Sequence, residues 1–438
     1  MILRDNYKIL SLLLIILSIL SFFLGFYFDE NAAGAGGYDG DYKNSWQSIQ
    51  AFSNYDILAA LDKSDHLSNR PPLIWILHAE LNPFATTEMG YRRSVFAISL
   101  LTPILFYLCL KQKFQNENSL ILILIASTVF LSPYYRTSAY WGLEENYGFI
   151  TLLTTFLFLN YFLTNKNNNN LKTHFYLFLL TFFSSLCIYF DQKLLIIPII
   201  CFLTIVLSKT FINLKILSII YYLLFSIPFI YLIYLWGGIF PTELTRVRNI
   251  GSEFYPGHIG YASAIIAFYF LPFLLFKKEN ILKLIRNFFS NKGNFFLLVL
   301  FFLYLIYLIV FYDFFKQSPS SGHLHLGKGI LHKFSLVLFG DHFFRQIFVY
   351  FAFFISWLVI LIFAEKDLKN ISIIAYFLII SSITMPMLQE YFDPLIYLMV
   401  FTFFNSKLFF NYKRSIGLYL YLFVFFAGTN IYYLQILN

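Results

Sequence analysis

The sequence has little charge and almost no cysteine. Only 12% of its 438 residues are charged, whereas a soluble domain has about 25%. The three cysteines, Cys109, Cys187 and Cys201, all lie in apolar runs without the spacing of metal ligands. The sequence therefore supports neither a disulfide framework nor a zinc site. The net charge of +8 comes mostly from lysines in short loops, so it does not indicate a nucleic-acid partner.

Charged residues are also nearly absent from the middle of the apolar runs, and no internal repeat is evident. Transporters keep polar residues at mid-membrane and often contain repeats with broken helices. A transporter or lipid flippase is therefore a less favoured class for this chain. The first apolar run, 9–28, is long enough to span a bilayer and has no small-residue cleavage pattern before Asp29, so we expect it to be retained.

What the chain has in abundance is apolar residues: 59% are hydrophobic, and the mean hydropathy is +0.69. A hydrocarbon core about 30 Å thick needs about 20 apolar residues per helical span, because every backbone amide must be satisfied inside its own segment. The pattern predicts an all-α polytopic membrane protein with about thirteen transmembrane helices. The expected spans are 9–28, 94–110, 118–132, 147–164, 174–189, 195–208, 216–236 and 416–434, with five more between residue 258 and Lys407.

Basic residues predict the orientation of these spans. Arg4 and Lys8 precede the first span, and Lys111 and Lys113 follow the second. Lysine and arginine recur in alternate loops, which predicts a cytoplasmic N-terminus and an external C-terminus. Nearly all acidic residues and histidines fall in the other loops, on the external side. Charges beside a bilayer are costly unless paired or hydrated, so this sorting predicts a single functional face.

The first external loop carries four carboxylates, Asp29, Glu30, Asp39 and Asp41, with glycines between them. Glycine allows the backbone to take positive φ angles and to pass close to a ligand. A solvated connector is the alternative, because loops are generally polar and rich in glycine. The amphipathic stretch 46–61 follows, and we expect it to form an interfacial helix.

The order of these features resembles that of the GT-C glycosyltransferases. A single span precedes a long acidic external loop, and three further motifs follow in order: Arg70-Pro71-Pro72, Arg92-Arg93 and Glu144-Glu145. GT-C enzymes are integral membrane proteins that take sugars from polyprenyl-phosphate or related carriers, and they include protein O-mannosyltransferases and aminoarabinose transferases. The likeness is strongest over residues 1–210. It implies a GT-C fold with periplasmic first-loop helices, a common module over 1–236 and a variable module over 237–438 with external loops 237–258 and 313–345.

The resemblance also implies site residues. Asp41 is the favoured first-loop acid and Asp39 the second choice, because the run 34–41 is similar to a glycine-rich acidic motif of bacterial members. The adjacent acid pair of the mannosyltransferase type is found only at Asp29-Glu30. Glu144 and Glu145 occupy the place of the second-loop acid, although acids are also favoured at any helix start. The candidates for binding the donor and its phosphate are Arg70, Arg92, Arg93, Lys193, Arg246, Arg248, His258, Lys328, Lys333, Glu390 and Tyr391.

Sugar transfer from a lipid phosphate needs a general base for the acceptor hydroxyl and cations for the leaving phosphate. We expect a carboxylate near Asp41 to be the base, with inversion at the anomeric carbon. Arg136 is a further external cation. The sequence identifies no cofactor, and a divalent cation is the one candidate, because four external histidines have suitable chemistry: His258, His323, His325 and His332. Such histidines are more often surface or hydrogen-bonding residues.

The leading hypothesis is thus a glycosyltransferase of a bacterial inner membrane, acting on the periplasmic face with a polyprenyl-phosphate sugar as donor. The acceptor is a hydroxyl on a glycan, a lipid or a protein. The alternative is an undecaprenyl-linked glycan polymerase or ligase. Such enzymes also use external arginines but usually lack the early acidic loop.

Overall fold

The computed structural model describes residues 2–31, 37–61, 70–238, 254–277, 281–316, 329–384 and 387–436. Throughout these ranges the chain forms helices and short helical turns and no strand, so the all-α prediction is confirmed there. The chain divides into two compact units. The first comprises Met1–Leu244 with Tyr419–Asn438, and the second comprises Thr245–Leu418. The two functional modules implied by the resemblance stay a prediction.

The first unit contains twelve of the described helices. They are α1 (Ile2–Tyr27), α2 (Lys43–Asn54), α3 (Ile57–Leu61), α4 (Leu73–Leu81), α5 (Glu88–Ser99), α6 (Leu101–Lys113), α7 (Ser119–Ser127), α8 (Pro133–Tyr140), α9 (Glu145–Asn165), α10 (Leu171–Phe190), α11 (Ile196–Leu207) and α12 (Ile212–Trp236). The stretch expected to form an interfacial helix is therefore helical, as α2 and α3.

The second unit contains the next seven described helices, and a last helix begins in it. They are α13 (Pro256–Leu274), α14 (Ile281–Phe289), α15 (Lys292–Phe311), α16 (Ile330–Phe339), α17 (Phe343–Ala364), α18 (Leu368–Ser382), α19 (Leu395–Phe401) and α20 (Tyr412–Ile436), which groups with the first unit from Tyr419 onward. Within the second unit, Phe270 of α13 stacks on Phe363 of α17 with ring centroids 3.9 Å apart. The start of α13 is tied to the end of α18, since the Tyr255 N–H donates to the Ser382 carbonyl over 2.7 Å.

Nine helical segments among the described residues are long and apolar enough to cross a membrane. They are Asn6–Tyr27, Glu88–Lys113, Glu145–Asn165, Leu171–Phe190, Ile212–Trp236, Pro256–Leu274, Lys292–Phe311, Phe343–Ala364 and Tyr412–Tyr433. A bent pair, Ser119–Leu131 with Pro133–Tyr140, makes ten if it is one span. The chain is therefore a multi-pass membrane protein. The expected spans near 195–208 and after Lys369 are the shorter helices Gln192–Leu207 and Leu368–Ser382, so thirteen crossings and their orientation stay a prediction.

The bent pair has a local cause. Pro133 has no N–H and disfavours the helical conformation in the residue before it, and Ser132 is extended, with φ −75° and ψ 118°. The Ser132 hydroxyl instead accepts the N–H of Tyr135 over 3.0 Å and caps a new helix, which leaves at 68° to the old one. The turned helix α8 is anchored by the Tyr140 hydroxyl, which donates to the Phe22 carbonyl of α1 over 2.6 Å. This anchoring fixes the position of the segment that leads into α9.

The start of α9 is also positioned by its close packing against the turn after α10. A Cβ atom at Gly148 would lie 3.1 Å from Leu194 Cδ1 and 3.5 Å from Asp191 Cβ. A larger side chain at this position would push the start of α9 away from the turn. Gly148 thus allows the acids at the start of α9 to lie beside Asp191 and Lys193.

Candidate functional site

Three charged side chains from two distant segments meet in the first unit. Arg70 Nη1 contacts Glu144 Oε1 and lies 2.7 Å from Glu145 Oε1. The Arg70 side chain keeps 24% exposure, and the two glutamates keep 8% and 14%. Arg70 precedes α4, and the glutamates stand at the start of α9, where the helix dipole also favours negative charge. The cluster is therefore largely buried but still reachable from one side.

The first-loop acid Asp41 belongs to the same cluster. Burial by itself lowers the pKa of Arg70, but Glu144, Glu145, Asp191 and Asp41 together raise it well above its ordinary value. Asp41 is half-buried in the helical turn Gly37–Tyr42. This turn is held by the buried Tyr42, whose hydroxyl donates to Glu88 Oε2 over 3.2 Å. The first loop thus brings the Asp41 carboxylate near enough for its charge to act on Arg70.

Glu144 has an unusual acidity for a glutamate. Burial raises the pKa of its carboxyl, Arg70 opposes this effect, and the charges of Glu145 and Asp41 add to it, which gives a pKa of about 8. Glu144 consequently carries a proton at neutral pH. Strongly shifted pKa values of this kind, caused by desolvation and by specific charged neighbours, are typical of functional sites.

Lys193 completes the cluster from the turn after α10. Its Nζ lies 3.1 Å from Asp191 Oδ2, and its backbone N–H donates to Asp191 Oδ1 over 3.0 Å. The charge of Lys193 also acts on Glu145. We call Asp41, Arg70, Glu144, Glu145, Asp191 and Lys193 together the ionic cluster. Asp191 was not among the residues expected at the site, although its place two residues before Lys193 was a usable signal.

Arg92 and Arg136 have different partners, which are the adjacent acids of the first loop. Arg92 Nη2 lies 2.6 Å from Asp29 Oδ1, and its guanidinium lies 4.0 Å from the centre of the Trp141 ring. Arg136, 1% exposed, binds both carboxylate oxygens of Glu30, with 2.7 Å from Nε to Oε1. The structure therefore places both arginines, which were expected among the cations for the leaving phosphate, in ion pairs within the protein. Arg93 is exposed on α5.

Five described residues that were expected at the site lie in the second unit: His258, His332, Lys333, Glu390 and Tyr391. His332 Nδ1 lies 3.0 Å from Arg345 Nη2. His258 is buried, and its Nδ1 lies 3.0 Å from the Ser381 carbonyl. The Ile330 N–H donates to Gln389 Oε1 over 2.6 Å, which joins the start of α16, the helix of Lys333, to the turn that holds Glu390 and Tyr391. Within the described ranges no group of three or more His, Cys, Asp or Glu side chains is placed to hold a metal ion. Outside the described residues lie Arg246, Arg248, His323, His325, Lys328 and the side chain of Asp39.

Sequence reasoning missed His78, a buried residue of α4. Its Nε2 lies 2.6 Å from the Tyr147 hydroxyl, and its Nδ1 lies 2.8 Å from Asn82 Nδ2. Burial lowers the pKa of His78 to about 4, so the imidazole is neutral at neutral pH. A single histidine in an apolar helix is a weak signal. The stronger one is its spacing of four residues from Asn82, which puts both side chains on one face.

No protein-family model matches the chain, and neither a curated protein nor a solved structure matches it. The ionic cluster and the order of the sequence motifs that supply it are therefore the features that indicate a function. The candidate membrane helices indicate a lipid bilayer as the surroundings of this site.

Proposed function

We propose that the chain is a membrane glycosyltransferase that moves a sugar from a polyprenyl-phosphate carrier to an acceptor hydroxyl at the periplasmic face of a bacterial inner membrane. The observation that carries this proposal is that Glu144 and Glu145 from one loop contact the guanidinium of Arg70, while the charge of Asp41 from the first loop also raises the pKa of Arg70. The resemblance to GT-C enzymes implies one site acid in the first loop and a second in the loop before α9. Asp41 lies in the first of these loops, and Glu144 and Glu145 lie in the second.

In the proposed reaction Asp41 is the general base. Its carboxylate takes the proton of the acceptor hydroxyl while the acceptor oxygen forms a bond to the anomeric carbon. The bond from that carbon to the phosphate oxygen breaks, and the electron pair leaves with the polyprenyl phosphate, which gives inversion. A positioned general base contributes roughly 10²–10⁴-fold to such a reaction.

Arg70 and Lys193 are the two cations of the ionic cluster. Each has an exposed part, 24% for Arg70 and 19% for Lys193, through which it is able to contact the negative charge that develops on the phosphate. Arginine contacts phosphate through a fork of N–H groups, and lysine acts as a point charge. Glu144 and Glu145 orient the guanidinium of Arg70, and protonated Glu144 limits the negative charge beside an anionic donor.

The test is an incubation of purified protein in lipid nanodiscs with a panel of radiolabelled polyprenyl-phosphate sugars and a hydroxyl acceptor mixture. We expect unlabelled polyprenyl phosphate to be released while the label moves to the acceptor. Lengthening of an undecaprenyl-linked oligosaccharide would instead indicate a polymerase or ligase. Uptake into vesicles without release of carrier would indicate a transporter.

A further inference from the structure

The orientation of the Asn82 side-chain amide is fixed by its surroundings. The backbone N–H of Phe84 donates to Asn82 Oδ1 over 3.0 Å. Because a backbone N–H is only a donor, this atom must be the amide oxygen. The amide nitrogen of Asn82 therefore faces Ser94 Oγ at 2.7 Å and His78 Nδ1 at 2.8 Å.

This orientation decides which nitrogen of His78 carries the proton. The Ser94 hydroxyl donates to the Tyr91 carbonyl over 2.7 Å, so it accepts one amide hydrogen of Asn82. The other amide hydrogen is directed at His78 Nδ1, which must accept it. A neutral imidazole has one donor and one acceptor nitrogen, so the proton lies on Nε2. His78 Nε2–H therefore donates to the Tyr147 hydroxyl oxygen over 2.6 Å.

His78 consequently does not accept a hydrogen bond from the Tyr147 hydroxyl. Of the residues in the described ranges, His78 is the single hydrogen-bond partner that the structure gives to this hydroxyl. The Tyr147 side chain as a whole is half-buried, and the structure gives its hydroxyl proton no acceptor among the described residues. A hydroxyl group that is oriented by one hydrogen bond and still has a proton to donate is suited to bind an acceptor oxygen.

Tyr147 lies beside the ionic cluster. It follows Glu144 by three residues in the first turn of α9, and its N–H donates to the Glu144 carbonyl over 3.0 Å. Residues three apart share one face of a helix. The Tyr147 ring also lies 5.4 Å, centre to centre, from the ring of Phe190, which directly precedes Asp191.

We propose that Asn82, His78 and Tyr147 form a fixed chain of hydrogen-bond donors that presents the Tyr147 hydroxyl proton to an oxygen atom of the sugar-phosphate donor. Tyr147 is the binding residue, and His78 and Asn82 are positioning residues that act through it. The identity of the ligand rests on the proposed function, whereas the direction of the hydrogen bonds does not.

The direction of the chain is tested without any substrate. Protein labelled with ¹⁵N-histidine is examined by NMR in nanodiscs at pH 7, and the His78 signals are identified by their loss in His78→Gln. We expect Nδ1 to be unprotonated and Nε2 to carry the proton. A proton on Nδ1, or on both nitrogens, would overturn the proposal.

The Asn82→Asp variant reverses the chain with little change in shape. A carboxylate cannot donate, so neutral His78 then carries its proton on Nδ1, and Nε2 accepts a hydrogen bond from the Tyr147 hydroxyl. The new carboxylate also raises the pKa of His78 from its low value. The titratable side chains that already contact the His78 ring are those of Tyr91 and Tyr147. Below the new pKa both ring nitrogens are protonated, and the Tyr147 hydroxyl is released again.

The enzymatic readout is the KM for the donor in Asn82→Asp divided by the wild-type KM at the same pH. Above the pKa of His78 in this variant, we expect the ratio to be about ten, because one hydrogen bond to a charged or polar oxygen is lost. Below that pKa, we expect the ratio to approach one. Tyr147→Phe should raise KM about tenfold at every pH, and adding Asn82→Asp to it should change nothing further. Asn160→Asp, at the other end of α9, is the matched control and should leave the ratio at one.

A ratio that does not vary with pH, or a Tyr147→Phe variant with wild-type KM, would contradict the assignment of the donor. If the wild-type protein transfers no sugar from any carrier, the proposed function fails, while the NMR measurement still decides whether the chain of donors exists.

Discussion

The guanidinium of Arg70 lies 2.7 Å from the carboxylate of Glu145, which follows 75 residues later in the chain. The same nitrogen, Nη1, contacts Glu144. One cation therefore holds two adjacent acids at the start of α9. Without it, Glu145 would lose its counter-charge and Glu144 its hydrogen-bond partner in a largely buried site.

Arg70→Gln is expected to reduce transfer by about 100-fold or more, because the variant removes a cation from the phosphate and releases Glu144 and Glu145. Arg70→Lys should retain a part of the activity, since a lysine supplies charge without the fork of donors. Initial rates of carrier release measure both effects. Arg286→Gln, an exposed arginine of α14, is the control, and an equal loss in that variant would refute the specific role of Arg70.

The raised pKa of Glu144 predicts a pH effect on donor binding. With a pKa of about 8, the carboxyl is neutral below pH 8 and becomes negative above it. Ionisation places an additional negative charge beside an anionic donor, so KM for the donor should rise as pH passes through 8. Glu144→Gln stays neutral and should lose this alkaline rise while it keeps the wild-type KM at pH 6.5. Retention of the alkaline rise in Glu144→Gln would show that another group causes it.

The ion pair of Arg136 with Glu30 is expected to stabilise the fold rather than to act on substrate. Arg136→Gln leaves Glu30 in a largely buried position without its counter-charge, which costs about 3 kcal/mol or more. The melting temperature in detergent should fall clearly. The double variant Arg136→Gln with Glu30→Gln should regain a part of the loss, because no unpaired charge is left. A double variant as unstable as Arg136→Gln would contradict this explanation.

Arg92 and Arg93 are neighbours in sequence with different expected roles. Arg92 is buried against Asp29 and Trp141, so Arg92→Gln should lower the melting temperature. Arg93 is exposed, and Arg93→Gln should leave the melting temperature unchanged and raise KM for the anionic carrier by about two- to fivefold, as expected for one basic residue near an anionic headgroup. Thermal unfolding and donor KM, measured for both variants, separate the two roles. Equal effects on unfolding would contradict the distinction.

The sequence allowed much of the helical arrangement to be predicted, because long apolar runs have few alternatives in a bilayer. The alternation of basic loops also predicted that Arg70, Glu144 and Lys193 lie on the same side of the membrane. The bend at Ser132 was not predicted, although Pro133 marks it. The expected span ends at residue 132, but hydropathy does not detect the short helix of mixed composition, α8, that follows it at 68°.

The partners of individual side chains could not be predicted from loop sidedness. Arg92 and Arg70 are both expected on the external side, yet Arg92 pairs with Asp29 and Arg70 with the glutamates of α9. The difference depends on how α8 packs against α1, which is a tertiary property. His78 was missed for the same reason, because its hydroxyl partner Tyr147 is 69 residues away.

The most direct test of the general base is the single-turnover rate of carrier release by Asp41→Asn. This change keeps the shape of the side chain and removes the basic oxygen. The control is Asp56→Asn, an exposed acid that the predicted topology places on the same face. We predict at least a 100-fold loss, roughly, in Asp41→Asn with an unchanged melting temperature, and a wild-type rate in Asp56→Asn. Release by Asp41→Asn at near the wild-type rate would contradict the assignment of Asp41 as the base.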